Sequence, residues 1–143
     1  MDTATSSNVT SAELVLRSFR EHDVHLLVDA LEPDATMRAL LPGGVREWAG
    51  AAVIGEAFAR WFGGAEHYEV ADATLSQIGD LLALRWRLRL RADRLGDEVM
   101  VVEQQTYATT GPTGLIAHLS LLCSGFWPQR RHVGALPSCA PPA

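Results

Sequence analysis

The chain has no lysine: all twelve of its basic residues are arginine. That excludes Schiff-base chemistry, covalent attachment of pyridoxal phosphate and a phosphate-loop lysine. Cysteine is nearly missing too. Cys123 falls in an apolar segment and Cys139 in a proline-rich tail, so no disulfide framework is readable and a reducing, cytoplasmic setting is expected. Long apolar runs are absent. None approaches the roughly 20 residues of a membrane span, and residues 1–10 lack the charged-then-apolar pattern of a secretion signal. Positive charge is in deficit, with a net charge of -5. This argues against a nucleic-acid partner, because phosphate recognition needs a concentrated positive field. Pro42-Gly43-Gly44 and the glycine turn at 111–114 lead into no helix, so neither is a phosphate loop. The five histidines show no ligand spacing with other donors, and neither a metal nor a cofactor is expected.

What remains is enough for one α+β domain over residues 10–127, between a disordered segment 1–9 and a flexible proline-rich tail 128–143. Thr10 with Glu13 is a capping-box pattern opening a helix whose Leu14, Val15 and Phe19 share a face. Asp23 can cap a second helix over 24–31, which Pro33 stops; His22 and His25 beside it read as solvated boundary residues. Short strands follow over 35–41 and 45–48. A third helix over 51–62 carries an apolar stripe that includes Ile54, Phe58 and Phe62, and Gly63-Gly64 ends it. Four strands then come in succession over about 67–77, 81–91, 98–108 and 115–126, joined by short turns. Helices followed by an antiparallel run imply three N-terminal helices packed in a strongly curved, mixed but mostly antiparallel sheet, a cone-shaped half-barrel with a hollow at its open end.

The densest information lies in 82–91. Leu84, Trp86, Leu88 and Leu90 alternate with Arg85, Arg87, Arg89 and Arg91, a period of two with apolar groups on one face and guanidiniums on the other. If the following turn is centred on 93–96, Trp86 lies opposite Glu103 and Leu88 opposite Val101. Directly opposed residues project to the same face. Glu103 is then expected inside, with Gln105 and Tyr107 extending its line. A carboxyl enclosed by Trp86 and valines loses solvation and suits acid–base work. Cys123-Ser124-Gly125 is not a nucleophile elbow, because Trp127-Pro128 follows where a helix is needed. His67-Tyr68-Glu69 opens a strand near the mouth of the hollow.

Element order, Leu31-Glu32-Pro33-Asp34-Ala35-Thr36 leading into the first strand, Gly50 before the third helix and the closing meander together resemble the nuclear transport factor 2-like, or SnoaL-like, superfamily over residues 11–127. Its relatives include ketosteroid isomerase, limonene epoxide hydrolase, scytalone dehydratase and polyketide cyclases. The isomerase carboxylates fall on Ala39 and Gln105 and its helical tyrosine near Val15, so the resemblance does not carry that mechanism over. It does imply that Met37, Ala39, Trp86, Leu88, Val101, Glu103, Gln105, Tyr107, Leu119, Leu121 and Cys123 face inward. Arg38, the arginine stripe, His118 and Ser120 face outward, on a surface that in relatives commonly packs on a second subunit, so a homodimer through that face is expected. The functional expectation is a pocket for a small apolar, partly oxygenated molecule. Either it supports cofactor-independent isomerisation, cyclisation, dehydration or epoxide opening in bacterial specialised metabolism, or it is a non-catalytic ligand-binding or dimerising module. Glu103, Gln105 and Tyr107 are the expected catalytic residues. Trp86, Phe19, Phe58, Met37, Leu88, Leu119, Leu121 and Cys123 are the expected ligand walls.

Overall fold

Side-chain period and turn chemistry place two helices, a β-hairpin, a third helix and a meander along the chain. The computed structural model describes residues 3–65, 67–96 and 98–129. The helices are α1 (Thr3–Arg20), α2 (Val24–Asp29) and α3 (Ala51–Phe62), and the strands are β1 (Leu31–Leu41), β2 (Gly44–Ala49), β3 (His67–Ile78), β4 (Leu81–Arg91), β5 (Met100–Thr110), β6 (Ile116–Cys123) and β7 (Trp127–Pro128). The strands form one mixed sheet in the order β2-β1-β6-β5-β4-β3, with β7 paired to β5. Among the described residues only the β1–β6 pair is parallel. The α+β reading therefore stands, although β1 and β2 precede the third helix. The expected disorder over 1–9 is corrected for residues 3–9, which are helical. The expected tail begins within β7, and residues 130–143 lie outside those described.

Local chemistry accounts for the helix positions. The Asp23 carboxylate accepts from the His25 N–H at 3.0 Å and starts α2. Gly50 precedes α3 with φ 104 and donates to the Ala35 carbonyl at 2.7 Å, which ties the helix to β1 in a backbone conformation that suits glycine. Ile54, Phe58 and Phe62, spaced one helical turn apart, are buried on the inner side of α3. Phe19 of α1, Phe58 of α3 and Trp86 of β4 then meet, with ring centroids 4.5 Å apart for Phe19–Trp86 and 5.9 Å for Phe19–Phe58.

The β4–β5 register differs from the sequence expectation by one residue. Trp86 pairs with Gln104 and Arg87 with Glu103. The connection carries a short 3-10 turn, Asp93–Leu95, closed by Gly96 at φ 92 with its N–H on the Asp93 carbonyl. It is thus one residue longer than a turn symmetric about 93–96, and a one-residue slip sends every side chain of a strand to the opposite face. Val102, Gln104, Thr106 and Ala108 are buried instead. Glu103, Gln105 and Tyr107, expected inside, face out with the arginines. Burial of an unpaired carboxylate would cost several kcal/mol, whereas the Gln104 amide satisfies its burial neutrally. Its Oε1 accepts from the Trp86 indole N–H at 2.8 Å, and both residues are 1% exposed.

This register predicts unequal effects at adjacent positions. Gln104→Ala should destabilise the fold by about 1–3 kcal/mol, because the buried indole N–H loses its acceptor. Gln105→Ala, on the exposed face, should stay within about 0.5 kcal/mol of wild type. Urea unfolding of the two variants checks this.

Candidate ligand cavity

Four chain segments converge at one end of the helical layer: the C-termini of α1 and α3, the start of α2 and the start of β3. They border a half-open cavity of about 190 Å³, with His22, Ala59 and Gly63 exposed at its rim. Phe19, Phe58, Phe62, Val24 and Leu27 supply apolar wall, and Ser18, His22, Asp23 and Tyr68 supply polar groups. Trp86 lies beneath, in ring contact with Phe19 and Phe58. An apolar cavity on the order of 150 Å³ suffices for benzene, so the space suits a compact ring system.

The α1–α2 junction builds the polar side. The Asp23 N–H donates to the Ser18 carbonyl at 2.9 Å and the His22 N–H to the Phe19 carbonyl at 3.3 Å, the paired bonds of a Schellman helix end. His22 occupies its left-handed position with φ 55, the one non-glycine residue with positive φ among the described residues. Glycine is usual there; a side chain costs about 1 kcal/mol or more. The imidazole lies flat on the Tyr68 ring, 3.8 Å between centroids and 6° between planes. Ser18 and Asp23 are partly committed, the Ser18 hydroxyl donating to the Val15 carbonyl at 2.6 Å and Asp23 capping α2. The His22 imidazole and the Tyr68 hydroxyl have no hydrogen-bond partner among the described residues. Burial pushes the Tyr68 phenol up to about 12, so it remains a neutral donor at physiological pH.

The expected site residues separate into three groups. Phe19 and Phe58 line the cavity. Trp86, Met37, Leu88, Leu119 and Leu121 are buried core residues that do not line it, and Cys123 is half-buried opposite Gln104. Glu103, Gln105 and Tyr107 are brought together on the outer face, remote in direction from the cavity. There Arg87 Nε donates to Glu103 Oε1 at 3.0 Å, and Arg85 bridges Glu103 Oε2 at 3.5 Å and Asp72 Oδ2 at 2.9 Å. Arg89 pairs with Glu69 across β3. A carboxylate held between two guanidiniums is an ion-pair member, so the geometric basis for an enclosed catalytic Glu103 is lost. His22, Asp23, Ser18 and Phe62 were not singled out from sequence as site residues. The signal for His22 was the lack of any glycine between α1 and α2. No group of three or more potential metal donors occurs among the described residues. No helix there is long and apolar enough to cross a membrane.

No family model matches the sequence, and no curated protein matches it either. Solved structures do match in fold. An epoxide hydrolase of M. tuberculosis, of the limonene epoxide hydrolase-like type, superposes with TM-score 0.63 at 12% identity, covering 96% of this chain and 98% of that one. A protein from Xanthomonas campestris pv. campestris assigned as a polyketide cyclase gives TM-score 0.65 at 11% identity, covering 92% and 98%. TerC, co-crystallised with polyporic acid, gives TM-score 0.60 at 16% identity, covering 80% and 89%. The chain thus shares the curved α+β fold of these structures, in line with the fold the resemblance implies.

The Tyr68 shift has a definite sign. The folded state keeps this phenol protonated above the ordinary value of 10.0. The associated stability is fully present below pH 10 and is lost as pH rises from there through about 12. Spectrophotometric titration should show a tyrosine ionising near 12 that disappears in Tyr68→Phe.

Proposed function

We propose that this chain is a small-molecule pocket protein that holds a compact, largely apolar, partly oxygenated ring compound in the cavity between α1, α2, α3 and β3. The observation that carries this is a cavity with aromatic walls and two uncommitted polar groups, His22 and Tyr68, at one side. That composition matches the general character of ligand sites, mostly apolar with a few placed polar groups. TerC, of the same fold, was crystallised with a small molecule, which supports the reading.

Non-catalytic holding is the reading we favour. Among the described residues, the buried polar or charged ones are Ser11, Ser18, Gln104 and Thr106, with no carboxylate among them. Cofactor-independent isomerisation, cyclisation, dehydration or epoxide opening would have to run through the cavity's polar side, where His22, Asp23 and Tyr68 are the groups able to exchange a proton. The epoxide hydrolase and cyclase neighbours favour that second reading.

Naphthalene serves as a probe for holding. Ligand-observed NMR should give saturable binding with a dissociation constant on the order of 0.1–1 mM, as expected for so few apolar atoms. Ala59→Trp, which places an indole in the cavity wall, should abolish it. Absence of saturable binding to the wild type contradicts the proposal.

We also propose that the outer sheet face pairs with a second copy of the chain. Leu40 of β1, Val45 of β2, Tyr107 of β5 and Leu122 of β6 are large, exposed and contiguous there, the kind of patch that marks an interface. Sedimentation velocity should give a dimer for the wild type and a monomer for Leu122→Glu. A wild type that sediments as a monomer throughout overturns this part.

A further inference from the structure

His22 stands where the backbone favours glycine. The Schellman end of α1 needs a left-handed residue, φ is 55, and glycine would adopt it without a steric conflict. Nothing in the helix junction uses the imidazole: the two capping bonds come from the backbone of His22 and Asp23. The ring is instead laid parallel on Tyr68 against the cavity. Stacking holds the imidazole in one orientation while leaving its in-plane nitrogens unused, and those are the atoms that form hydrogen bonds. Around it, the Ser18 hydroxyl proton is already donated and Asp23 already caps α2. The imidazole therefore remains as an exposed donor–acceptor, stacked on Tyr68 beside aromatic wall.

From this arrangement we propose that His22 is the specificity-determining residue of the cavity, selecting hydroxylated over unsubstituted aromatic rings through a hydrogen bond to the ligand hydroxyl. The inference rests on the pocket reading above and goes beyond it by assigning the discrimination to one side chain. Tyr68 acts as a positioning residue, fixing the imidazole plane by stacking. A neutral imidazole can accept from a hydroxyl with one nitrogen and donate with the other, so it recognises the hydroxyl without requiring an ionised ligand. His22 is exposed at the rim of the cavity, so in the free protein water serves its nitrogens. A bare ring lying against it displaces that water without replacing the hydrogen bond, whereas a hydroxyl restores it. The net worth of that one bond is the source of discrimination.

The experiment compares naphthol with naphthalene on the full chain and on two variants. Wild type should bind naphthol about five- to ten-fold tighter than naphthalene, the size of one net hydrogen bond. His22→Gly should lose the preference, binding the two probes equally, and melt no lower than wild type, because glycine suits the position. His22→Phe keeps a ring on Tyr68 but has no hydrogen-bonding nitrogen, and it should lose the preference as well. Equal binding of the two probes to wild type overturns the role of His22 while leaving the pocket intact. Retention of the naphthol preference in His22→Phe or His22→Gly overturns it too. If neither probe binds the wild type, the pocket reading fails and this inference fails with it.

Discussion

A single hydrogen bond inside the aromatic core, from the Trp86 indole to the Gln104 amide, marks the register on which the arrangement of the sheet depends. With Trp86 turned inward against Phe19 and Phe58, the residue opposite it must also face the helices. An amide meets that requirement and supplies the acceptor that a buried indole N–H needs. The neighbouring carboxylate is then directed to the other face, between Arg85 and Arg87. These outer pairs are partly exposed, so each is worth about 1 kcal/mol at most. They agree with the register without being its main cause. Avoiding the burial of Glu103, which would cost several kcal/mol, matters more.

The same aromatic packing decides where a ligand can go. Trp86, Phe19 and Phe58 occupy the space that a curved sheet and three helices would otherwise leave open, and the described cavity is displaced toward the ends of α1 and α3. Its walls are therefore ring faces and edges from helices, and its polar groups come from the α1–α2 junction and the first residues of β3. A helix end that tolerates a left-handed histidine and a strand that begins with a half-buried tyrosine produce the His22–Tyr68 stack. Both are consequences of backbone geometry at element boundaries.

Much of the fold could be read from residue periodicity. The alternation over 82–91 gives the correct faces of β4, the Ile54-Phe58-Phe62 spacing gives the buried stripe of α3, and Asp23 gives the start of α2. The inward placement of Met37, Ala39, Leu119 and Leu121, which the family resemblance rather than periodicity implied, agrees with the structure. The candidate site was less legible. Glu103, Gln105 and Tyr107 depend on a turn whose length is set by a 3-10 segment and Gly96, which strand periodicity does not encode. Both parities of β5 also carry polar residues, Glu103 and Gln105 on one and Gln104 and Thr106 on the other, so composition could not choose between them. His22 reads in sequence as a solvated boundary residue and is exposed in the structure; its stack on Tyr68 could not be read, because the partner ring lies far along the chain.

Cross-strand backbone NOEs in isotopically labelled protein test the register most directly. Contacts should link Trp86 with Gln104 as directly opposed residues, and Arg87 with Glu103. A pattern placing Trp86 directly opposite Glu103 would return the carboxylate to the interior and contradict this register.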